Sequence, residues 1–151
     1  MNFPVGPILN KGNLPADILE MSTDFELKRF NGYIIQTVKG DVIEEGSLFF
    51  RDGKISACLV ECQSIKQKIK GKAGLEYFLN QTKGKGFFQV VELTRSQVDL
   101  VEAFDETIMT HEINLKELPK LIPNSYAIRF KAEAKKENIL ERYGLSDLKN
   151  K

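Results

Sequence analysis

A run of lysines, two cysteines and a single histidine are the side chains of this sequence with the clearest claim to chemistry. Lys66, Lys68, Lys70 and Lys72 alternate through Ser64–Lys72 (SIKQKIKGK), and Lys83 and Lys85 stand beyond the segment that follows. Between Lys66 and Lys85 the sole acidic residue is Glu76. Gathered on one surface, these six lysines would form a positive patch suited to nucleic acid, an anionic membrane or an acidic protein partner. Arginine is scarce and no aromatic residue interrupts the run. Both facts weigh against base readout and base stacking. A solvated connector is the plainer reading of the same residues.

Other chemistry finds little support. Cys58 and Cys62 are the two cysteines. On a strand they share a face but stand roughly 13 Å apart, too far for a disulfide. They read as buried thiols. His111 lies in Thr110-His111-Glu112 within an expected loop and has no partner identifiable from sequence. It reads as a surface histidine rather than a base. One histidine and two cysteines do not make a metal site, which needs three or four converging ligands. The serines include no nucleophile elbow. Gly84-Lys85-Gly86 is a short G-x-G that precedes a strand, whereas a phosphate cradle opens a helix. The expectation is therefore no catalytic residue, no metal and no cofactor.

The elements around these residues follow from local patterning. Phe30–Lys39 (FNGYIIQTVK) is rich in β-branched and aromatic residues and predicts a strand. Gly46–Arg51 predicts a second strand and Lys54–Cys62 a third. Between them, Asp52-Gly53 suits a two-residue type I′ turn, whose central residues both need positive φ. Alternation sets Ile55, Ala57, Leu59 and Glu61 on one face of the third strand, with Ser56, Cys58, Val60 and Cys62 on the other. Phe87–Leu93 predicts a fourth strand. Helices are expected over Pro15–Met21, with Pro15 at its first position, and over Ala73–Thr82, ended by glycine. Thr94-Arg95-Ser96-Gln97 matches a capping box. The helix it opens should reach Glu106, with Val98, Val101, Phe104 and Ile108 toward the core. Leu115–Leu121 predicts a short helix stopped before Pro123, and Tyr126–Phe130 an extended segment. Ala132–Tyr143 predicts a charged helix with a thin apolar stripe. Met1–Lys11 reads as an extended arm packed on the domain.

The chain has 151 residues, 42% hydrophobic and 28% charged, with a net charge of +1. That composition suits one α+β domain with a core of its own and excludes wholesale disorder. The fold expected is a small, mainly antiparallel sheet, a meander around the Asp-Gly hairpin, with packed helices and a C-terminal helical extension. Residues 1–130 form the domain and 131–151 the extension. No basic leader precedes an apolar run, and no stretch reaches the roughly 18 apolar residues of a membrane span. The expected location is the cytoplasm.

Several motifs taken together resemble one family. Asn31-Gly32-Tyr33-Ile34 begins a strand, and Gly46-Ser47-Leu48-Phe49-Phe50-Arg51-Asp52-Gly53-Lys54-Ile55-Ser56-Ala57 follows. Gly71-Lys72-Ala73-Gly74-Leu75 opens a helix and Gly86-Phe87-Phe88 a strand. This pattern resembles the PATAN domain, named for the N-terminal region of a bacterial response regulator, and its archaeal relatives of unknown function. The likeness covers roughly Leu14–Thr107, with Gly74 where the family has Ala and Val90 where it has an aromatic residue. It implies a non-enzymatic mediator of protein–protein contacts in prokaryotic signalling, with no catalytic residue to carry over. The function expected is thus a protein-binding adaptor whose partner is another protein or a second copy. The alternative is an anion-binding module that uses the lysine cluster on nucleic acid or acidic lipid. An enzyme of unknown type ranks third.

Overall fold

Apolar residues on both faces of Lys54–Cys62 require a strand covered from both sides. The computed structural model, which describes residues 2–131, builds the domain around it. The strands are β1 (Ile8–Leu14), β2 (Gly32–Lys39), β3 (Ile43–Arg51), β4 (Lys54–Cys62), β5 (Gln67–Lys70) and β6 (Gly86–Glu92). The helices are α1 (Ile18–Lys28), α2 (Gly71–Gln81), α3 (Arg95–Phe104) and the short α4 (Leu118–Leu121). The strands form one six-stranded sheet in the order β1-β6-β2-β3-β4-β5. Every neighbouring pair is antiparallel, so the fold is α+β. Among the described residues no helix is long and apolar enough to cross a membrane.

The two faces are covered unequally. On one, Ile34, Leu48, Phe50, Cys58 and Val60 pack under α1, α2 and the segment that carries Ile113, Leu118 and Phe130. On the other, Tyr33, Phe49, Ala57, Leu59 and Val91 pack under α3 and Ile108. The N-terminal arm completes this second layer. Phe3 sets its ring edge against Phe49 at 4.8 Å, and the Tyr33 hydroxyl donates to the Pro4 carbonyl at 3.1 Å.

The hairpin forms as its turn chemistry demands. Asp52 and Gly53 have φ of 50° and 85°, the positive pair of a type I′ turn. Its tip is pinned to the loop before β2: Asp52 N–H donates to Asn31 Oδ1 at 2.8 Å and Gly53 N–H to the Phe30 carbonyl at 2.8 Å. A Cβ on Gly53 would come within 2.7 Å of the Phe25 carbonyl, so close approach to α1 reinforces the need for glycine. The capping box of α3 is complete, with Thr94 Oγ1 accepting from Gln97 N–H and Gln97 Oε1 from Thr94 N–H.

Several expectations need correction. Helix α1 starts at Ile18 rather than Pro15, because Asp17 is its N-cap and accepts from Glu20 N–H at 3.0 Å. It runs on to Lys28 because Ile18, Ser22 and Phe25 lie on one buried stripe. Ile55 does not share a face with Ala57: a bulge opposite Phe49/Phe50 pairs Phe50 with Ile55, and both enter the α1/α2 layer. The basic connector contains β5, and the N-terminal arm becomes β1 from Ile8. Phe104 is exposed rather than buried. At about 100° per residue it stands some 120° around the helix from Val98. Cys58 and Cys62 are free and buried on one face, as expected, and burial pushes the Cys58 thiol up. The expected helix Ala132–Tyr143 lies outside the described residues.

One buried polar network ties the layers together. Gln81, on α2, donates through Nε2 to Glu44 Oε1 at 3.0 Å and accepts at Oε1 from Gln36 Nε2 at 3.0 Å. Gln36 also donates to the Phe78 carbonyl, and the Tyr126 hydroxyl donates to Glu44 Oε2. Burial and the Glu44 carboxylate push the Tyr126 phenol up. Gly46 makes room for this chain, since a Cβ there would lie 2.2 Å from Gln81 Oε1. Gln81→Met would leave Glu44 and Gln36 with unmet bonds. The expected loss is about 1–3 kcal/mol, measured by urea unfolding. An unchanged midpoint would show that the network contributes nothing net.

Candidate functional site

Helix α3 divides its contacts between two flanks. Val98 and Val101 face the sheet. Arg95, Asp99 and Glu102, spaced i, i+4, i+7, lie along one side. Leu100 and Phe104, spaced i, i+4, lie along another. Both spacings stand in the sequence, where Phe104 shares the expected core side with Val98 and Val101.

The apolar flank is open. Leu100 is 65% exposed and Phe104 86% exposed, although both are large and apolar. With Val101 and the arm residues Phe3 and Pro4 they line a groove of about 540 Å³. The sheet beyond the end of α3 is also incompletely covered. Phe87 and Ile43 are exposed, and Ile35 is half-buried.

The polar flank faces the tip of the hairpin. Arg51 Nε donates to Asp99 Oδ1 at 2.6 Å, and Arg95 Nε lies 3.4 Å from Asp52 Oδ2. Between α3, the turn and the end of α1 is an open cleft of about 670 Å³. Arg29, Lys54, Glu102 and His111 are among its lining residues. His111 is exposed, as its loop position predicts.

The lysine residues are spread over several elements. Lys66 caps a 3₁₀ turn, and Lys68 and Lys70 lie on β5 at one edge of the sheet. Lys68 faces Glu61 at 3.8 Å, and Lys70 donates to Asp105 at 2.8 Å. Lys72 starts α2, while Lys83 and Lys85 follow it, roughly 16 Å away along the helix axis. Lys85 leads into β6, which lies on the far side of β2, β3 and β4 from β5. Two of the four closely spaced lysines are therefore partly neutralised, and the last pair is separated from them. No group of three or more histidine, cysteine or acidic residues able to hold a metal occurs among the described residues.

A family model matches residues 1–104, from the N-terminal arm through the last residue of α3. The chain belongs to the DUF2226 family. Its members are described as an uncharacterized protein conserved in archaea. No curated protein and no solved structure matches the chain. The DUF2226 match includes both flanks of α3 and the hairpin tip, while His111 and Tyr126 fall beyond it.

The Lys70–Asp105 pair gives this region a pH dependence. The Lys70 ammonium, helped by Thr107, holds the Asp105 carboxyl down to about 2. A carboxyl lowered on folding contributes stability above its ordinary range near 4, and that contribution is lost as pH falls through about 2. Lys70→Met should raise the Asp105 pKa toward the ordinary range, read by NMR titration of its side-chain carboxyl. It should also flatten the acid limb of the stability curve between about pH 4 and pH 2.

Proposed function

We propose that this chain is a non-catalytic protein-interaction domain that acts in the cytoplasm and engages its partner through the α3 side of the sheet. The observation that carries this reading is the exposure of Leu100 and Phe104, one turn apart, beside an apolar groove. Exposed aromatic and aliphatic side chains around a groove are the usual anchors of a protein contact. The resemblance of the hairpin and glycine motifs to PATAN domains supports the same class of function. The partner is a protein that presents apolar side chains to α3. The lysine cluster supports the anion-binding alternative less well, because Lys68 and Lys70 face carboxylates.

The test uses the full chain as bait in extract of the source organism. Wild type, Phe104→Asp and a Lys66/Lys68/Lys72→Glu variant are compared, and captured proteins are rebound in purified form. The expected result is a partner whose affinity falls at least about tenfold with Phe104→Asp and is unchanged by the lysine variant. Light scattering of the bait alone detects a second copy as that partner. The reverse pattern, loss with the lysine variant only, would replace this reading with the anion-binding one.

A further inference from the structure

We propose that the cleft between α3 and the β3–β4 turn binds a small zwitterion, with its ammonium on Glu102 and its carboxylate or phosphate on Arg29 and Lys54. The starting observation is Glu102. It is 7% exposed, lines the cleft, and its Oε1 is buried with no hydrogen-bond partner. A buried carboxylate oxygen without a donor is costly, and folded chains rarely keep one. Arg51 is close enough to feel the Glu102 charge, but its Nε donates to Asp99 at 2.6 Å and none of its donors reaches Glu102 Oε1. A compact ammonium that enters the cleft and draws the Glu102 carboxylate toward it would satisfy this oxygen, because it carries both the charge and the protons to do so.

The rim supplies the opposite charge. Arg29 and Lys54 line the same cleft and make no ion pair among the described residues. Arg29 sits at φ 51°, in the left-handed region, as the C-cap of α1. His111, also on the rim, has φ 60°. Glycine would relieve the backbone at either position, so the side chains are held there against a local cost. The cations of the cleft, Arg29, Arg51, Lys54 and Arg95, are nearly matched by Glu26, Asp52 and Glu102. That balance favours a ligand with both charges over a simple anion or a simple cation. The volume of about 670 Å³ is within the range of small-molecule sites.

The experiment is calorimetric titration of the full chain with α-amino acids and with phosphoethanolamine. Inorganic phosphate and ethylamine serve as single-charge probes. At least one zwitterion should bind wild type at least about tenfold more tightly than either probe, and Glu102→Gln should weaken it about tenfold or more. An Arg29→Gln/Lys54→Gln variant should weaken it likewise. Whether the amino acids or phosphoethanolamine bind identifies the anionic group as carboxylate or phosphate. The unliganded Glu102→Gln protein should melt higher than wild type by about 2–4 °C, because a buried unpaired charge has been removed. No zwitterion binding at millimolar concentration would overturn the proposal, as would equal affinity for Glu102→Gln. So would phosphate alone binding as tightly, or a lower melting temperature for Glu102→Gln.

Discussion

The central strands β3 and β4 carry large apolar side chains on both faces, and everything else in the fold answers to the need to cover them. Leu48 and Phe50 point to one side and Phe49 to the other. Each fully buried side chain of this size contributes about 1.5–3 kcal/mol, so neither face can be left to water. The first face has two helices and the long segment from Ile113 to Phe130. The second has one ten-residue helix and the arm that carries Phe3 and Pro4. That shortfall places Leu100, Phe104, Phe87 and Ile43 at the surface. The apolar flank of α3 is thus the unfinished part of a cover. The first face, by contrast, is complete only with Leu118, Tyr126 and Phe130, which lie beyond the region shared with the family.

The bulge in β4 shapes the other side of α3. Strict alternation would turn Ile55 toward α3, beside Arg51 and Asp99. The extra residue instead turns Ile55 into the α1/α2 layer. The α3 end of the hairpin is left to charged side chains and to a space among them. The same turn residues serve two tasks: Asp52 closes the hairpin and also faces Arg95 across the cleft. Gly53 and Asn31 fix the height of that tip against α1. The cleft is therefore built on hydrogen-bonded backbone rather than on a free loop.

Local chemistry was legible and tertiary position was not. Asp52-Gly53 and the Thr94–Gln97 box announced themselves because turn and cap preferences involve a few adjacent residues. Strand β4 was readable to its ends because both of its faces are apolar. The missed strands β1 and β5 are the two edges of the sheet. An edge strand has half its ladder and little burial, so its sequence looks like a connector. The i, i+4, i+7 stripe of Arg95, Asp99 and Glu102 was present in the sequence, but a charged stripe on a helix is ordinarily solvated. What makes it a site is that the hairpin tip stands over it, a fact of long-range packing.

Lys68 and Lys70 stand on β5, one edge of the sheet. A free strand edge is a row of unpaired N–H and C=O groups on which another chain can grow as a strand. The four-residue length of β5 leaves little edge to pair, and Lys66 and Lys72 add positive charge beside its two ends. At the opposite edge, the register shift between Ile8 and Asn10 breaks the regular ladder of β1. The two ends of the sheet thus resist aggregation by different means, charge at one and irregular backbone at the other.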